Sequence, residues 1–394
     1  MWLDWRIAER MRGLGVESAF IVLGKAKELE AKGMKVYHFE IGEPDFDTPG
    51  HIKEAAYRAL ADGFTHYTPS NGIQELREAI AEYESQRKGV DIKPENVVVT
   101  VGAKLAIFAA MMATLNPGDE VIVPSPAYPA YAVSATFAGA KVVKVKLSEE
   151  KRFSFGAEDI QEKTGEKTKM VVINTPSNPT GLIMSEQDLR SLAEIAAERR
   201  LIVVSDEIYD RIVFDGKKAS SILEHCDSLD NVIYVNGFSK TFAMTGWRLG
   251  YAITAREVAE HIMKIQLNTV SCPTSFVQRA AIEALKGPQE PVEQMVREYQ
   301  RRRDLVVEVL NRTPGVRCLK PEGAFYAFPN ITELGLSSDK VADELLQKKG
   351  VALLPGTAFG EEGEGYLRIS FATSIEDLRE GLEKFREYAE EKLS

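Results

Sequence analysis

The chain has 394 residues, of which 44% are hydrophobic and 27% charged, a composition typical of a globular protein with a large core. Its formal net charge is −10 and no run is rich in lysine or arginine, which argues against a nucleic-acid partner. The longest apolar runs are too short to cross a bilayer and the charged N-terminus does not resemble a secretion signal, so we expect a cytoplasmic protein without a membrane partner. The three cysteines lie far apart and are predicted to be buried thiols, not a disulfide framework or a zinc site.

The central half of the chain alternates short apolar runs with helical patterns, as a doubly wound α/β domain does. Helices are predicted over about residues 104–115, where Asn116-Pro117-Gly118 ends the pattern, and from the capping residue Ser185 over residues 185–200. Several of the apolar runs carry no polar face, which predicts a mainly parallel sheet covered by helices on both sides. The runs that we interpret as strands are NVVVT from Asn96, VIVP from Val121, KVVKV from Lys141, MVVIN from Met170, LIVVSD from Leu201, NVIYVN from Asn231 and LGYAIT from Leu249.

The last hundred residues have a different pattern. A long charged helix is predicted from Glu290 to Arg312, followed by short strands in AFYAF from Ala324 and YLRISF from Tyr366. A closing helix begins at a capping box that starts with Ser374. We therefore predict a large α/β domain over residues 46–285 and a smaller α+β domain over residues 1–45 and 286–394. The first 45 residues show no strand series, so they are expected to form an N-terminal arm that packs on the smaller domain.

The segment GFSKTFAMTGWRLGY contains a lysine, Lys240, between Ser239 and Arg248. A lysine amine condenses with an aldehyde, while serine and arginine bind phosphate, arginine through its planar fork of donors. Pyridoxal 5′-phosphate carries both an aldehyde and a phosphate. An isolated Ser-Lys pair is most often a solvated feature of a loop, so this interpretation depends on the rest of the chain.

Polar residues also follow the neighbouring predicted strands. Asn178 comes after MVVIN, Asp206 ends LIVVSD, and Tyr209 follows three residues later. In open α/β sheets, ligands bind beyond the carboxyl ends of the strands. A buried carboxylate at Asp206 would keep the pyridine nitrogen of the cofactor protonated, and Asn178 and Tyr209 can donate to its phenolic oxygen. Seen alone, Asp206 could be a helix cap and Asn178 part of a plain turn.

Three further positions fit the same ligand. The turn at residues 101–104 places the backbone amides of Ala103 and Lys104 at a predicted helix start, where they could bind phosphate. Tyr128 follows a strand and could stack on the pyridine ring. Arg368 lies in the alternating run YLRISF and could bind a substrate carboxylate through two hydrogen bonds. The simpler alternatives are an ordinary glycine turn, a core aromatic residue and a surface salt bridge.

These motifs resemble the class I/II aminotransferases of the pyridoxal-phosphate fold type I over essentially the whole chain. The resemblance implies the fold-type-I transferase architecture and an exchange in two stages. An L-amino acid gives its amino group to the cofactor and leaves as a 2-oxo acid, and a second 2-oxo acid then takes the group up. The matching segments are IGEPDF (Ile41–Phe46), HYTPSNG (His66–Gly72), VGAK, PAYPAY, NPTG, SDEIY, GFSKTFAMTGWRLGY, GAFYAF (Gly323–Phe328) and YLRISFA.

The resemblance also assigns a role to each site residue. It implies that Lys240 forms the covalent bond to the cofactor, and it implies a homodimer with shared sites. In that dimer Tyr67 would reach the phosphate bound by the neighbouring subunit. The remaining residues are implied to contact the cofactor or the substrate. Asp206 would pair with the pyridine nitrogen, Asn178 and Tyr209 would contact the phenolic oxygen, and Tyr128 would stack on the ring. The phosphate would be bound by Ser239, Arg248, Ala103 and Lys104, and the substrate α-carboxylate by Arg368, Asn178 and Gly42.

The substrate side chain is less firmly indicated. Lys104 resembles a lysine that meets the distal carboxylate of aspartate or glutamate in one prokaryotic branch of aspartate aminotransferases, which favours aspartate with 2-oxoglutarate. Phe20 stands where that branch tends to have a small polar residue, which favours an aromatic or broad-specificity aminotransferase instead. A carbon–sulfur lyase on the same scaffold would share nearly every cofactor residue and is the less favoured alternative.

Overall fold

The computed structural model describes residues 6–8, 11, 14 and 17–394. Some residues at the start of the predicted N-terminal arm therefore lie outside the described residues. Within them, no helix is long and apolar enough to span a membrane, and no group of His, Cys, Asp and Glu side chains could hold a metal ion. Cys226, Cys272 and Cys318 are free thiols, of which only Cys318 is buried.

The helices and strands of the described residues follow the predicted order in the central part of the chain. The helices are α1 (Ser18–Ala31), α2 (Gly50–Ala61), α3 (Gln74–Lys88), α4 (Ala103–Thr114), α5 (Ala130–Phe137), α6 (Ala157–Lys163), α7 (Glu186–Arg199), α8 (Arg256–Leu267), α9 (Ser275–Lys286), α10 (Glu290–Arg312), α11 (Ser338–Glu344) and α12 (Ile375–Leu393). The strands are β1 (Tyr37–His38), β2 (Val97–Thr100), β3 (Glu120–Ser125), β4 (Lys141–Lys146), β5 (Thr168–Asn174), β6 (Ile202–Asp206), β7 (Val232–Gly237), β8 (Gly250–Ile253), β9 (Tyr326–Ala327), β10 (Val351–Ala352), β11 (Leu354–Pro355) and β12 (Leu367–Ser370).

In the part of the chain that the structure describes, seven strands form the main sheet in the order β2-β8-β7-β6-β5-β3-β4. Strand β8 is antiparallel to both of its neighbours, and the other pairs are parallel. The prediction of a mainly parallel sheet is confirmed. The apolar runs are buried on both faces because alternate residues of one strand enter different cores. In β5, Val171 and Ile173 pack in one core with residues of α3, α7 and α9, whereas Met170 and Val172 pack in the other with residues of α4, α5 and α8.

The structure confirms the predicted capping residues of two helices and the predicted bounds of a third. The Ser185 hydroxyl accepts a hydrogen bond from the Asp188 amide and caps α7, and Ser374 does the same for α12 through Asp377. The long helix α10 has the predicted bounds of Glu290 and Arg312. Its buried residues Met295, Tyr299, Val306 and Leu310 belong to a third core, which it shares with α12 and the short strands of the C-terminal part, whereas Val292 packs in the core with α3, α7 and α9.

The C-terminal part of the chain contains a small antiparallel sheet of order β11-β12-β9. We expected no strand series in the first 45 residues, and the structure places there one strand of two residues, β1, which pairs in parallel with β10. Helix α1 contributes Ala26 to a small core with Val36, Leu346 and Ala352. The N-terminal and C-terminal residues thus pack together, while the domain boundaries at residues 45/46 and 285/286 stay a prediction.

Candidate active site

A cavity of about 570 Å³ lies at the carboxyl ends of β5, β6 and β7. Parallel strands with helices on both faces leave their carboxyl ends open at one edge, where the connecting loops supply polar side chains. Of the thirteen predicted site residues, twelve line this cavity and Tyr67 does not. The first turns of α1 and α4 form part of its wall, through residues 17–20 and 103–104. The cavity therefore gathers residues that are distant in sequence.

Lys240 follows the end of β7 and is buried in the cavity wall. Its Nζ donates a hydrogen bond to the backbone oxygen of Gly42 at 2.6 Å. Burial lowers the pKa of Lys240 to about 8, because an ammonium group loses its hydration there. A lysine with a lowered pKa holds a larger fraction of neutral amine near neutral pH, and the neutral amine is the nucleophilic form. The environment of Lys240 thus suits covalent bonding to a carbonyl group.

Asp206, the last residue of β6, is 4% exposed. Its carboxylate accepts hydrogen bonds from the Tyr131 hydroxyl at 2.8 Å and from the Ile208 amide at 3.2 Å. Burial raises the pKa of Asp206 to about 6, and these two hydrogen bonds limit the rise. A cationic partner in the cavity would stabilise the charged carboxylate further, since an opposite charge favours the ionised form. The site is suited to a ligand with a protonated ring nitrogen.

Tyr209 and Asn178 lie at neighbouring strand ends. The Tyr209 hydroxyl shares a hydrogen bond of 2.8 Å with the hydroxyl of Tyr326, which lies in β9. The backbone amide of Asn178 donates a hydrogen bond of 2.8 Å to the side-chain oxygen of Asn174, which orients the loop after β5. Both side chains are buried. They present a hydroxyl and a carboxamide, the donor types that a phenolic oxygen requires.

An anion-binding corner lies where α4 begins. The α4 amides start at Ala103, directly after Gly102, whose φ of +81° favours glycine. A Cβ atom at Gly102 would stand 2.6 Å from Nη2 of Arg248, so only glycine allows this guanidinium to approach the helix start. Arg248 is exposed, and Ser239 also lines the cavity. Free helix amides, a guanidinium and a hydroxyl together form a suitable phosphate site.

Arg368 lies in β12 and is 3% exposed. It donates to the backbone oxygen of Glu40, and its Nη1 lies 3.5 Å from the side-chain oxygen of Asn178. Its Nε is buried without a hydrogen-bond partner among the described residues. The backbone at Gly42 passes close to the Tyr326 hydroxyl, with which any Cβ would collide. A buried guanidinium with an unused donor can bind a carboxylate that enters the cavity.

The side of the cavity at the first turns of α1 and α4 carries a further cation, Lys104. Its Nζ lies 2.6 Å from Oε1 of Glu17, which also accepts a hydrogen bond of 2.7 Å from the Tyr128 hydroxyl. Lys104 is 51% exposed, and its ammonium lies 5.7 Å from the centre of the Tyr128 ring. Phe20, in the first turn of α1, lines the cavity and is 62% exposed. This side of the cavity is therefore both charged and aromatic.

Tyr67 is 90% exposed and lies away from the cavity of its own chain. Its predicted role in a neighbouring subunit stays a prediction. Three residues that the sequence interpretation did not assign complete the site: Tyr131 holds Asp206, Tyr326 holds Tyr209, and Glu17 pairs with Lys104. Tyr131 and Tyr326 lie within the recognised segments PAYPAY and GAFYAF, so those motifs could have pointed to them. Glu17 precedes Ser18 in a segment without such a signal.

The comparisons with known proteins agree with this geometry. Residues 34–385 match the family model described as aminotransferase class I and II. The chain is 44% identical over 391 residues to a probable aspartate/prephenate aminotransferase of Aquifex aeolicus, an alignment that covers 98% of this chain and 99% of that protein.

Two solved structures have the same fold as this chain. One is an aspartate aminotransferase of Thermus thermophilus with maleate, which has 39% sequence identity and a TM-score of 0.92, covering 97% of this chain and 99% of that one. The other is an aromatic aminotransferase of Pyrococcus horikoshii, with 42% identity and a TM-score of 0.89, covering 94% and 99% of the two chains. The similar proteins are thus named for an acidic substrate in one case and for aromatic substrates in the other.

Proposed function

This chain belongs to the class I and II aminotransferases, and we propose that it transfers the amino group of aspartate to a 2-oxo acid such as 2-oxoglutarate. Members of the family depend on pyridoxal 5′-phosphate in general. The proposal for this chain concerns which residues hold that cofactor and which side chain the enzyme accepts. Four cationic residues line the cavity, and the single observation that carries the choice of aspartate is that two of them, Arg368 and Lys104, remain for the substrate once Lys240 and Arg248 are assigned to the cofactor.

The donor set of the cavity fits pyridoxal 5′-phosphate. Lys240 supplies a buried amine for the aldehyde, and Asp206 supplies a buried carboxylate for the ring nitrogen. The phosphate would bind at the start of α4, beside Arg248 and Ser239. Tyr209 and Asn178 would donate to the phenolic oxygen, and Tyr128 would lie against the ring. When bound, the cofactor supplies an electron sink for the negative charge that develops at the substrate Cα.

The remaining chemistry belongs to the residues of the chain. Arg368 would bind the α-carboxylate of the amino acid, with the loop at Gly42 beside it, and so fix the direction of the Cα–H bond. Lys240 Nζ in its neutral form would accept the proton from the substrate Cα and so act as the general base of the transfer. The lowered pKa of about 8 favours this role, because a general base must be neutral before it accepts a proton.

The second carboxylate of the substrate separates acidic from neutral amino acids. Arg368 is buried and suits the α-carboxylate, which every amino acid carries. Lys104 already binds a carboxylate oxygen at 2.6 Å, so its ammonium is placed where a second carboxylate can be held. Aspartate, glutamate and their 2-oxo acids have that second carboxylate. Charge complementarity at Lys104 therefore supports acidic substrates.

We expect the Lys104→Ala variant to lose about tenfold or more in the rate constant of the half-reaction with aspartate or glutamate, relative to alanine or phenylalanine. The reason is that only the acidic substrates use the ammonium group. Half-reaction rates with a panel of amino acids, followed by the change in cofactor absorption, measure this selectivity. Lys141→Ala, which removes a lysine that is 72% exposed on β4, is the matched control. Equal losses across the panel would contradict the distal-carboxylate role.

One observation favours an aromatic or broad-specificity aminotransferase as the second candidate. Phe20 lines the cavity beside Lys104 and Tyr128, and the charge of Lys104 is balanced by Glu17. A pocket with a neutralised cation and exposed aromatic surface can accept an aromatic side chain. The same amino-acid panel separates the two candidates, because an aromatic enzyme would process phenylalanine and tyrosine faster than aspartate.

We also propose that the enzyme is a homodimer with shared sites, in which Tyr67 binds the phosphate held by the other subunit. Tyr67 is 90% exposed, and other large apolar side chains are exposed on the described surface, among them Tyr57 at 67% and Leu267 at 50%. Exposed apolar surface of this kind often marks an interface between proteins. Each active site would then contain residues of both subunits.

The Tyr67→Phe variant should bind pyridoxal phosphate about 10- to 100-fold more weakly, because one hydrogen bond to a charged group is lost. Equilibrium titration of the apoenzyme measures this, with Tyr57→Phe as the control. At a pyridoxal phosphate concentration that leaves Tyr67→Phe mostly without cofactor, mixing this variant with Lys240→Ala should give activity above the sum of the two, since a mixed dimer contains one site with both native residues. Additive activity would show that Tyr67 does not act across the dimer.

A further inference from the structure

Glu17 is the residue that immediately precedes α1, and its side chain turns into the cavity. A side chain at this position could accept a hydrogen bond from a free amide of the first helical turn, as cap residues do. Glu17 makes no such bond. Its carboxylate instead accepts hydrogen bonds from Lys104 Nζ at 2.6 Å and from the Tyr128 hydroxyl at 2.7 Å. The chain thus places a carboxylate of its own in the cavity.

The pairing keeps Glu17 charged. Burial raises the pKa of its carboxyl group, but the hydrogen bonds from Lys104 and Tyr128 and the nearby positive charges together outweigh burial, and the pKa lies below its usual value. The positive charge of Arg368 also lowers this pKa. Glu17 therefore lies in the field of both cations that we assign to the substrate. An amino acid with two carboxylates would introduce its second negative charge beside the one already present.

We propose that Glu17 is an internal competitor for the side-chain carboxylate of acidic substrates, occupying the Lys104 ammonium until such a substrate displaces it. This inference rests on the proposed function, in which Lys104 binds that carboxylate. Glu17 would act on specificity and not on the chemical step, because its carboxylate is hydrogen-bonded to Lys104 and Tyr128, whereas Lys240 bonds to Gly42 and Asp206 to Tyr131.

The competition affects substrates differently. Aspartate and glutamate must break the Glu17–Lys104 pair or share its ammonium, whereas phenylalanine and tyrosine can enter while the pair stays intact. The Lys104 side chain is 51% exposed and that of Glu17 29%, so the pair is partly screened by water. Glu17 should therefore reduce the preference for acidic substrates by a modest factor. This provides a physical basis for a broad specificity.

Binding of two unreactive acids of equal length to the holoenzyme tests the proposal. Succinate carries two carboxylates and butyrate carries one, so the ratio of their dissociation constants isolates the second carboxylate from effects on Arg368. Because the charge of Glu17 also acts on Arg368, the test is the ratio of the two affinities, and we expect Glu17→Gln to tighten succinate binding by about two- to fivefold more than butyrate binding. The gain should vanish in the Glu17→Gln/Lys104→Ala double variant. Glu28→Gln, which changes an exposed glutamate of the same helix, is the matched control.

The two hypotheses fail in different comparisons. If Glu17→Gln leaves the succinate-to-butyrate ratio unchanged, or tightens both acids equally, Glu17 is not a competitor. If the gain for succinate persists without Lys104, the competition does not occur at that ammonium and the proposal is also wrong. If Lys104→Ala by itself leaves the wild-type ratio unchanged, the assignment of Lys104 to the distal carboxylate fails, whatever the result for Glu17.

Discussion

The Lys240→Ala variant should transfer amino groups at least about a thousandfold more slowly than the wild-type enzyme with every amino acid. Two functions are removed by this one change: the amine that bonds to the cofactor and the base that moves the Cα proton. Burial, which lowers the pKa of Lys240 to about 8, prepares the amine for both. Single-turnover measurements with aspartate and phenylalanine give the rate of the chemical step independently of product release.

A second readout tests directly whether Lys240 is the residue that bonds to the cofactor. Borohydride reduction of the wild-type holoenzyme should attach the cofactor to the peptide that contains Lys240, whereas the variant should retain no covalent label. Lys151→Ala, which removes a lysine that is 63% exposed, should be labelled at Lys240 and turn over normally. A Lys240→Ala protein that kept both the label and turnover would exclude this residue as the catalytic lysine.

The sequence was sufficient to predict the sheet and its site because two independent patterns coincide there. Continuous apolar runs such as MVVIN are buried on both faces, and each is followed by polar residues that no core would accept. Asn178, Asp206 and Lys240 follow three adjacent strands, so their place at one edge is a consequence of the parallel topology. The roles of these residues toward a cofactor stay predictions.

What the sequence did not predict depends on contacts between distant parts of the chain. Strands β1 and β10 contain two residues each, too few for any periodicity, and they exist because they pair with one another. Tyr326 was recognised only as part of a motif, since its contact with Tyr209 joins residues that are 117 positions apart. Glu17 looks like a surface glutamate in sequence. Only the folded chain places it beside Lys104.

The loop that carries Asp206 and Tyr209 is anchored by a buried ionic network behind the site. Lys88, at the end of α3, lies 3.2 Å from Glu207 and 2.9 Å from Asp210, and all three side chains are at most 2% exposed. Arg87 also reaches Asp210, at 2.8 Å. The Lys88 cation holds the pKa of Asp210 well below its usual range despite burial, while burial raises the pKa of Glu207. The cations of this network therefore favour the charged form of its buried carboxylates.

Replacing Lys88 with methionine should destabilise the protein by about 3–5 kcal/mol, because the two carboxylates of Glu207 and Asp210 lose the cation that compensates their burial. By the average entropy of unfolding per residue, this lowers the melting temperature by roughly 4–6 °C. Thermal unfolding of the holoenzyme followed by circular dichroism measures the change. Lys141→Met breaks an exposed pair with Glu120 and should cost at most about 1 kcal/mol.

The pH dependence of this defect identifies its cause. Without Lys88, the folded-state pKa of Glu207, which burial already raises, should rise further, and that of Asp210 should rise from its depressed position to above its unfolded value, so the native state binds protons that the unfolded chain releases. Its stability then falls as the pH rises, and the deficit relative to wild type should be larger at about pH 8 than at about pH 5. A deficit that is independent of pH would mean that Lys88 stabilises the fold by packing. Loss of its charge would then not be what loosens the loop behind Asp206.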